Sequence, residues 1–234
     1  RNVILRRLTL ESGRSHGVEM IDSENCAVES STLRNFGQVG VRILGGQRCR
    51  TSDCEISGNG ENGVILSGGD RRTLTPAGHR VENSTIHHVS RWCRTYYPAV
   101  GMDGVGNVVA GNHLHDLPHT AVLLSGNDHL LERNLVERVC TDTGDAGAFY
   151  MGRNATMRGV VIRWNRFRDV KPTVNTAGNF TEVMSVYLDD CWCGTRVEGN
   201  IFEGAGTAIM IGGGRDNEVI NNVFLDCHLG ISFD

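Results

Sequence analysis

One spacing recurs nine times along this chain and constrains what it can fold into. An apolar residue is followed three positions on by a small or polar one, and five positions on by another apolar one. The full form appears as Val109-Asn112-Leu114, Leu131-Asn134-Val136, Ile162-Asn165-Phe167, Val197-Asn200-Phe202 and Val219-Asn222-Phe224. Weaker copies lie upstream at Leu5-Leu8-Leu10, Val28-Ser31-Leu33, Thr51-Cys54-Ile56 and Val81-Ser84-Ile86. The middle positions step by 23, 23, 30, 28, 22, 31, 35 and 22 residues. A constant minimum period with occasional insertions is the pattern of a solenoid, whose repeats bury their apolar faces only against one another.

Each repeat then carries a further short strand, such as "GVRIL", "GVILSG", "AVLLSG", "AFYMGR", "SVYLDD" and "AIMIGG". Aligned on these, Ile43, Leu66, Met102, Leu124, Met151, Leu188, Ile211 and Phe233 share one column. Strand alternation sends that column inward and its neighbours outward. No repeat contains a helical stretch, which argues against a leucine-rich repeat despite the Asn column. The expected fold is all-β: a right-handed parallel β-helix of about nine coils, roughly 40 Å long at about 4.8 Å per coil. The five consecutive Asn residues read as a structural ladder, each bonding its own corner and the next Asn.

Composition agrees with many short strands and tight corners. There are 30 Gly and 18 Asn in 234 residues, and Gly and Asn tolerate the left-handed backbone that corners need. No apolar run is long enough to span a membrane. A net charge of −4 gives no electrostatic footprint for nucleic acid. The 8 cysteines lack zinc-ligand spacing, and Cys26 and Cys49, one coil apart, are expected to stack. The opening residues carry no secretory-signal pattern. Starting on Arg1 and stopping in mid-coil at Asp234, residues 1–234 read as one β-helix domain, incomplete at both ends.

The outward positions of the further strand form a floor of polar and aromatic residues, suited to an extended, repeating ligand. Asp103, Tyr150, Tyr187 and Asp189 lie on it. Inserted loops at 137–146 and 169–183 wall it, and long loops on one face of a solenoid carry function. Acidic residues gather there: Asp142 and Asp145 before one strand, Glu182 before the next, and Asp189 and Asp190 at that strand's end. Paired carboxylates over a cleft suit glycoside hydrolysis, one protonating the leaving oxygen and the other attacking carbon or activating water.

Alternation lets one of Asp189 and Asp190 face the floor, and the shared column with Asp103 favours Asp189. On straight strands Asp145 and Asp189 stand about 20 Å apart. They meet only if the Gly144–Gly147 stretch folds back, and Glu182 offers a substitute partner. His119 and His129, at corners beside the floor, and Arg153 complete the expected substrate contacts. His87, His115, Glu137, Arg168 and Glu203 share an outward column that reads as a solvated polar ladder rather than a metal site.

"HDLPHTAVLLSGNDHLLERN", "DTGDAGAFYMGR", "SVYLDD" and "GGGRDNEVINNVFLDC" resemble glycoside hydrolase family 141, β-helical enzymes that include fucosidases and xylanases, over about residues 107–234. The resemblance implies a pectate-lyase-like solenoid and a secreted or periplasmic enzyme acting on plant or algal polysaccharide. It places the two catalytic carboxylates on Asp145 and on Asp189 or Asp190. Such a reaction calls for no cofactor and no metal. A polysaccharide lyase on the same fold and a non-catalytic glycan-binding rod are the competing expectations. A lyase needs an Arg or Lys base and usually a cation to neutralise the uronate carboxylate; Lys171, the sole lysine, lies in a loop, while Arg153 remains available.

Overall fold

The computed structural model describes residues 1–171 and 182–234. Three parallel sheets of nine strands each make up the described chain, and successive members of a sheet are three strands apart in sequence. Each coil therefore contributes three strands, because the recurring motif is itself two strands joined at a corner. In coil five these are Val108–Ala110, His113–His115 and Val122–Leu124.

The third sheet carries the floor. Its strands from coil four to coil eight are Val100–Gly104, Val122–Leu124, Ala146–Gly152, Val183–Asp189 and Thr207–Ile211. The inward column follows the sequence alignment: Ile43 pairs with Leu66, Leu66 with Met102, Met102 with Leu124, and Met151 with Leu188. These side chains are buried, and aromatic stacking continues the core, with Phe167 and Phe202 rings 4.9 Å apart at 8°. Cys26 and Cys49 follow the same logic at another corner, stacked as free thiols.

The corner between the first two strands repeats in all nine coils. The residue before each middle position takes a left-handed backbone, from Arg7 (φ 57°) and Ser30 (φ 47°) to Trp164 (φ 57°) and Asn221 (φ 54°). Asn83, Gly111, Gly199 and Asn221 are the Gly and Asn expected to supply these angles, and the other five residues depart from that expectation. The reason is that the corner amide donates to the coil above, as from Ser30 to the Ser52 carbonyl at 3.0 Å, which offsets the left-handed strain.

Directly after that residue runs the Asn ladder. Asn134 Nδ2 donates to Asn165 Oδ1 at 2.9 Å, and Asn165 Nδ2 donates to Asn200 Oδ1 at 3.0 Å. Ser84 and Ser31 extend the bonding to the earlier coils.

The polar ladder lies on the outer face of the second sheet. His87 stacks on His115 at 4.7 Å, and Glu137 accepts from Arg168, from Arg138 at 2.8 Å and from His113 at 3.0 Å. Burial raises the Glu137 carboxyl's pKa, but these donors outweigh it and bring it from 4.5 down to about 2. A carboxyl depressed on folding stabilises the protein above its ordinary value, and that stability is lost as pH falls toward the folded value. Melting temperature should therefore drop between about pH 4.5 and pH 2, and Glu137→Gln should remove part of that drop. An unchanged acid profile in the variant would show that the ladder contributes nothing.

Candidate active site

Two tyrosines on adjacent strands organise the trough. Tyr150 and Tyr187 are register partners, with ring centroids 5.3 Å apart at 68°. Their hydroxyls bond crosswise. Tyr150 donates to Asp189 Oδ2 at 2.7 Å on the next coil, and Tyr187 donates back to Asp145 Oδ1 at 3.2 Å. Burial is the main cause that pushes both phenols above their ordinary value. Asp189 adds to it for Tyr150, and Asp189 and Asp145 add to it for Tyr187. Both hydroxyls therefore stay protonated and act as donors.

The two carboxylates come from opposite ends of their strands, and the phenols join them. Asp145, exposed, holds φ 46° immediately before the Ala146–Gly152 strand. A Cβ on Gly147 would stand 2.6 Å from Tyr187 Cβ and 3.1 Å from the Phe149 carbonyl oxygen. Only glycine lets the chain pass this close beneath Tyr187. Gly147 thus lets the start of this strand lie close against Tyr187, and the long phenol reaches from there to Asp145.

Asp189 closes its strand at 8% exposure, while Asp190 beyond it is exposed. Alternation does not separate this doublet as expected. Arg153 Nε lies 3.6 Å from Asp189 Oδ2 and 3.1 Å from Asp190 Oδ2. The strand ends at Asp189 and Asp190 turns left-handed at φ 31°, so alternation no longer governs it.

His119 belongs to the same group. It is buried, its Nδ1 accepts from the Tyr96 amide at 3.4 Å, and it shares a bond with Thr120 Oγ1 at 2.8 Å. Burial lowers its pKa, against the opposing charge of Asp145. A neutral imidazole accepting at Nδ1 carries its proton on Nε2.

His129 is a correction. It is 1% exposed, its Nδ1 accepts from the Asn107 amide at 3.1 Å, and its Nε2 bonds the Ser125 carbonyl at 2.8 Å. Both nitrogens are spent inside a corner, so nothing remains for a substrate. His79 does the same on an earlier coil, with the Cys49 amide and the Gly45 carbonyl.

Asp103 is exposed in the Asp189 column, but three coils away, about 14 Å along the trough. Glu182, also exposed, lies one coil beyond Asp145 in register. Most of the 169–183 loop, residues 172–181, lies outside the described residues. Asp142 turns away from the carboxylate pair toward Arg94, which it accepts from at Nε (3.2 Å) and Nη2. Arg94 and Tyr96 escaped the sequence reading. The insertion within coil four, ahead of its third strand, is visible by length, and its run "RWCRTYYP" concentrates aromatic and cationic residues.

Among the described residues no helix is long and apolar enough to cross a membrane. A family model described as a right-handed β-helix region matches residues 1–75 and 71–224. No curated protein matches the sequence. Among solved structures, a protein titled glycoside hydrolase is similar at 14% identity and TM-score 0.64, covering 91% of this chain and 38% of its own. An alginate lyase from Paenibacillus sp. str. FPU-7 is similar at 13% identity and TM-score 0.73, covering 97% and 78%. The A-module of the Azotobacter vinelandii mannuronan C-5 epimerase AlgE6 is similar at 13% identity and TM-score 0.75, covering 95% and 58%. This chain thus spans well under two thirds of the glycoside hydrolase and of the epimerase. At such identities the likeness establishes the fold, including its right-handed winding, and stops there.

Proposed function

The chain belongs to the right-handed β-helix family, and from that premise we propose that it is a glycoside hydrolase acting on a plant or algal polysaccharide or its oligosaccharides. One observation carries the reading: Asp145 and Asp189, from neighbouring coils, are joined through two crossed phenols on the third sheet. One carboxyl protonates the glycosidic oxygen, and the other attacks the anomeric carbon or activates water. The resemblance of residues 107–234 to glycoside hydrolase family 141 supports the same two positions. Tyr150, half-buried, offers its ring edge to the sugar, whereas the expected contact from Tyr187 is corrected by its burial, which leaves it holding Asp145. Arg153, held by Asp190 at 3.1 Å, borders the pair.

A lyase on this fold must abstract a proton beside a uronate carboxylate. The phenols in the trough are poor bases, because burial and the adjacent carboxylates hold their pKa above the ordinary 10. His119 accepts at Nδ1 from within its own wall. Lys171, the sole lysine, is paired with Asp169 at 3.0 Å. Arg153, the remaining cationic candidate, is paired with Asp189 and Asp190, and together these observations support hydrolysis over elimination.

Product chemistry tests the choice. Incubation with xylan, fucoidan or alginate should yield new reducing ends on one of them, with no rise in near-ultraviolet absorbance. An unsaturated, absorbing product would overturn the hydrolase reading in favour of a lyase.

A further inference from the structure

The insertion within coil four, ahead of its third strand Val100–Gly104, forms a strap anchored on both sides. Its first residues are pinned to coil three: the Ser90 amide donates to Glu61 O at 2.7 Å, and Trp92 to Gly60 O at 3.0 Å. The Trp92 indole lies so close over Gly60 that a Cβ there would stand 3.0 Å from the ring. Its middle crosses to coil six, where Arg94 pairs with Asp142, three residues before Asp145.

Between these anchors and the strand that follows sits Tyr96. Its backbone is left-handed at φ 60°, unusual for a bulky side chain, and the residue is 59% exposed. Its ring lies 4.9 Å from His119 at 50°. The phenol is also close enough to Tyr150 to add to the rise in that group's pKa. The amide's bond to His119 Nδ1 at 3.4 Å offsets the left-handed backbone, as at the corners, but a ring left in water gains little by burial, so folding does not account for where the ring stands.

We propose that Tyr96 is a substrate-binding residue whose ring forms a wall of the trough against which a sugar unit stacks. This rests on the glycan-cleaving reading of the same trough. The strap holds the ring in its strained position before the sugar arrives, so little ordering remains to be done on binding.

Affinity electrophoresis through gels containing xylan, fucoidan or alginate tests this, in an Asp189→Asn background so that the polysaccharide stays intact. The background protein should be retarded by one of the three, and Tyr96→Ala should weaken that binding about tenfold. Tyr96→Phe should retain most of it. Tyr96→Gly should lose binding like the alanine variant yet melt no lower than the background, because glycine relieves the left-handed constraint. Background-level binding by Tyr96→Ala would overturn the inference and leave the carboxylate reading standing. A Tyr96→Gly variant that melts markedly lower would overturn it too, making the ring a structural cover over His119. No retardation of the background protein by any of the three would overturn the glycan reading of the trough, and this inference with it.

Discussion

Asp189→Asn and Asp145→Asn should each lower kcat by about 10³-fold or more, with the fold intact. Asparagine keeps the shape of the carboxylate and can still accept the tyrosine hydroxyl, so the Tyr150 bond to position 189, now 2.7 Å, survives in kind. Position 145 is left-handed at φ 46°, where asparagine is well accommodated. What the amide cannot do is give up a proton to a leaving oxygen, attack carbon or take a proton from water. Asp190→Asn should cost less than about tenfold, because Asp190 is exposed and acts on Arg153. Steady-state rates with melting curves on the same preparations decide the matter. Parent rates in both the 145 and the 189 variants would move the chemistry elsewhere in the trough.

The largest stability effect is expected from the ladder rather than the apolar core. Asn165 is 1% exposed, and its side chain alone makes four hydrogen bonds. Its Oδ1 accepts from the amide and the side chain of Asn134, at 3.0 and 2.9 Å. Its Nδ2 reaches the Leu131 carbonyl and Asn200 Oδ1, both at 3.0 Å. Asn165→Leu fills the volume but orphans the Asn134 amide and strips one bond each from the Leu131 carbonyl, the Asn134 Nδ2 and the Asn200 Oδ1. At about 1–3 kcal/mol for the buried unpaired amide and about 0.5–1 kcal/mol for each further bond, the loss is about 3–5 kcal/mol. Asn222→Leu, only half-buried on the last coil, should cost clearly less. Urea unfolding measures both, and a loss below about 1 kcal/mol at position 165 would reduce the ladder to packing.

These two expectations differ in how far the sequence reaches. The ladder and the inward columns were legible before any coordinates, because every coil repeats the same local geometry and errors in one copy are corrected by eight others. The His129 assignment failed for a related reason. Its corner column holds Cys26, Cys49, His79 and Asn107 in turn, so no single residue type marks it as structural. Tyr96 was hidden because it lies in a unique insertion, where no repeat exists to align it.

The amino-acid sequence by itself determined the winding, the number of coils and the inward column of each strand. Periodicity carries that information, since stacking permits only one register for a buried column. Whether two acids at opposite strand ends are joined was decided in three dimensions, by the close approach that Gly147 permits and by the length of two tyrosine side chains reaching across coils. Contacts of that kind depend on reach and angle between segments distant along the chain, which no spacing rule encodes.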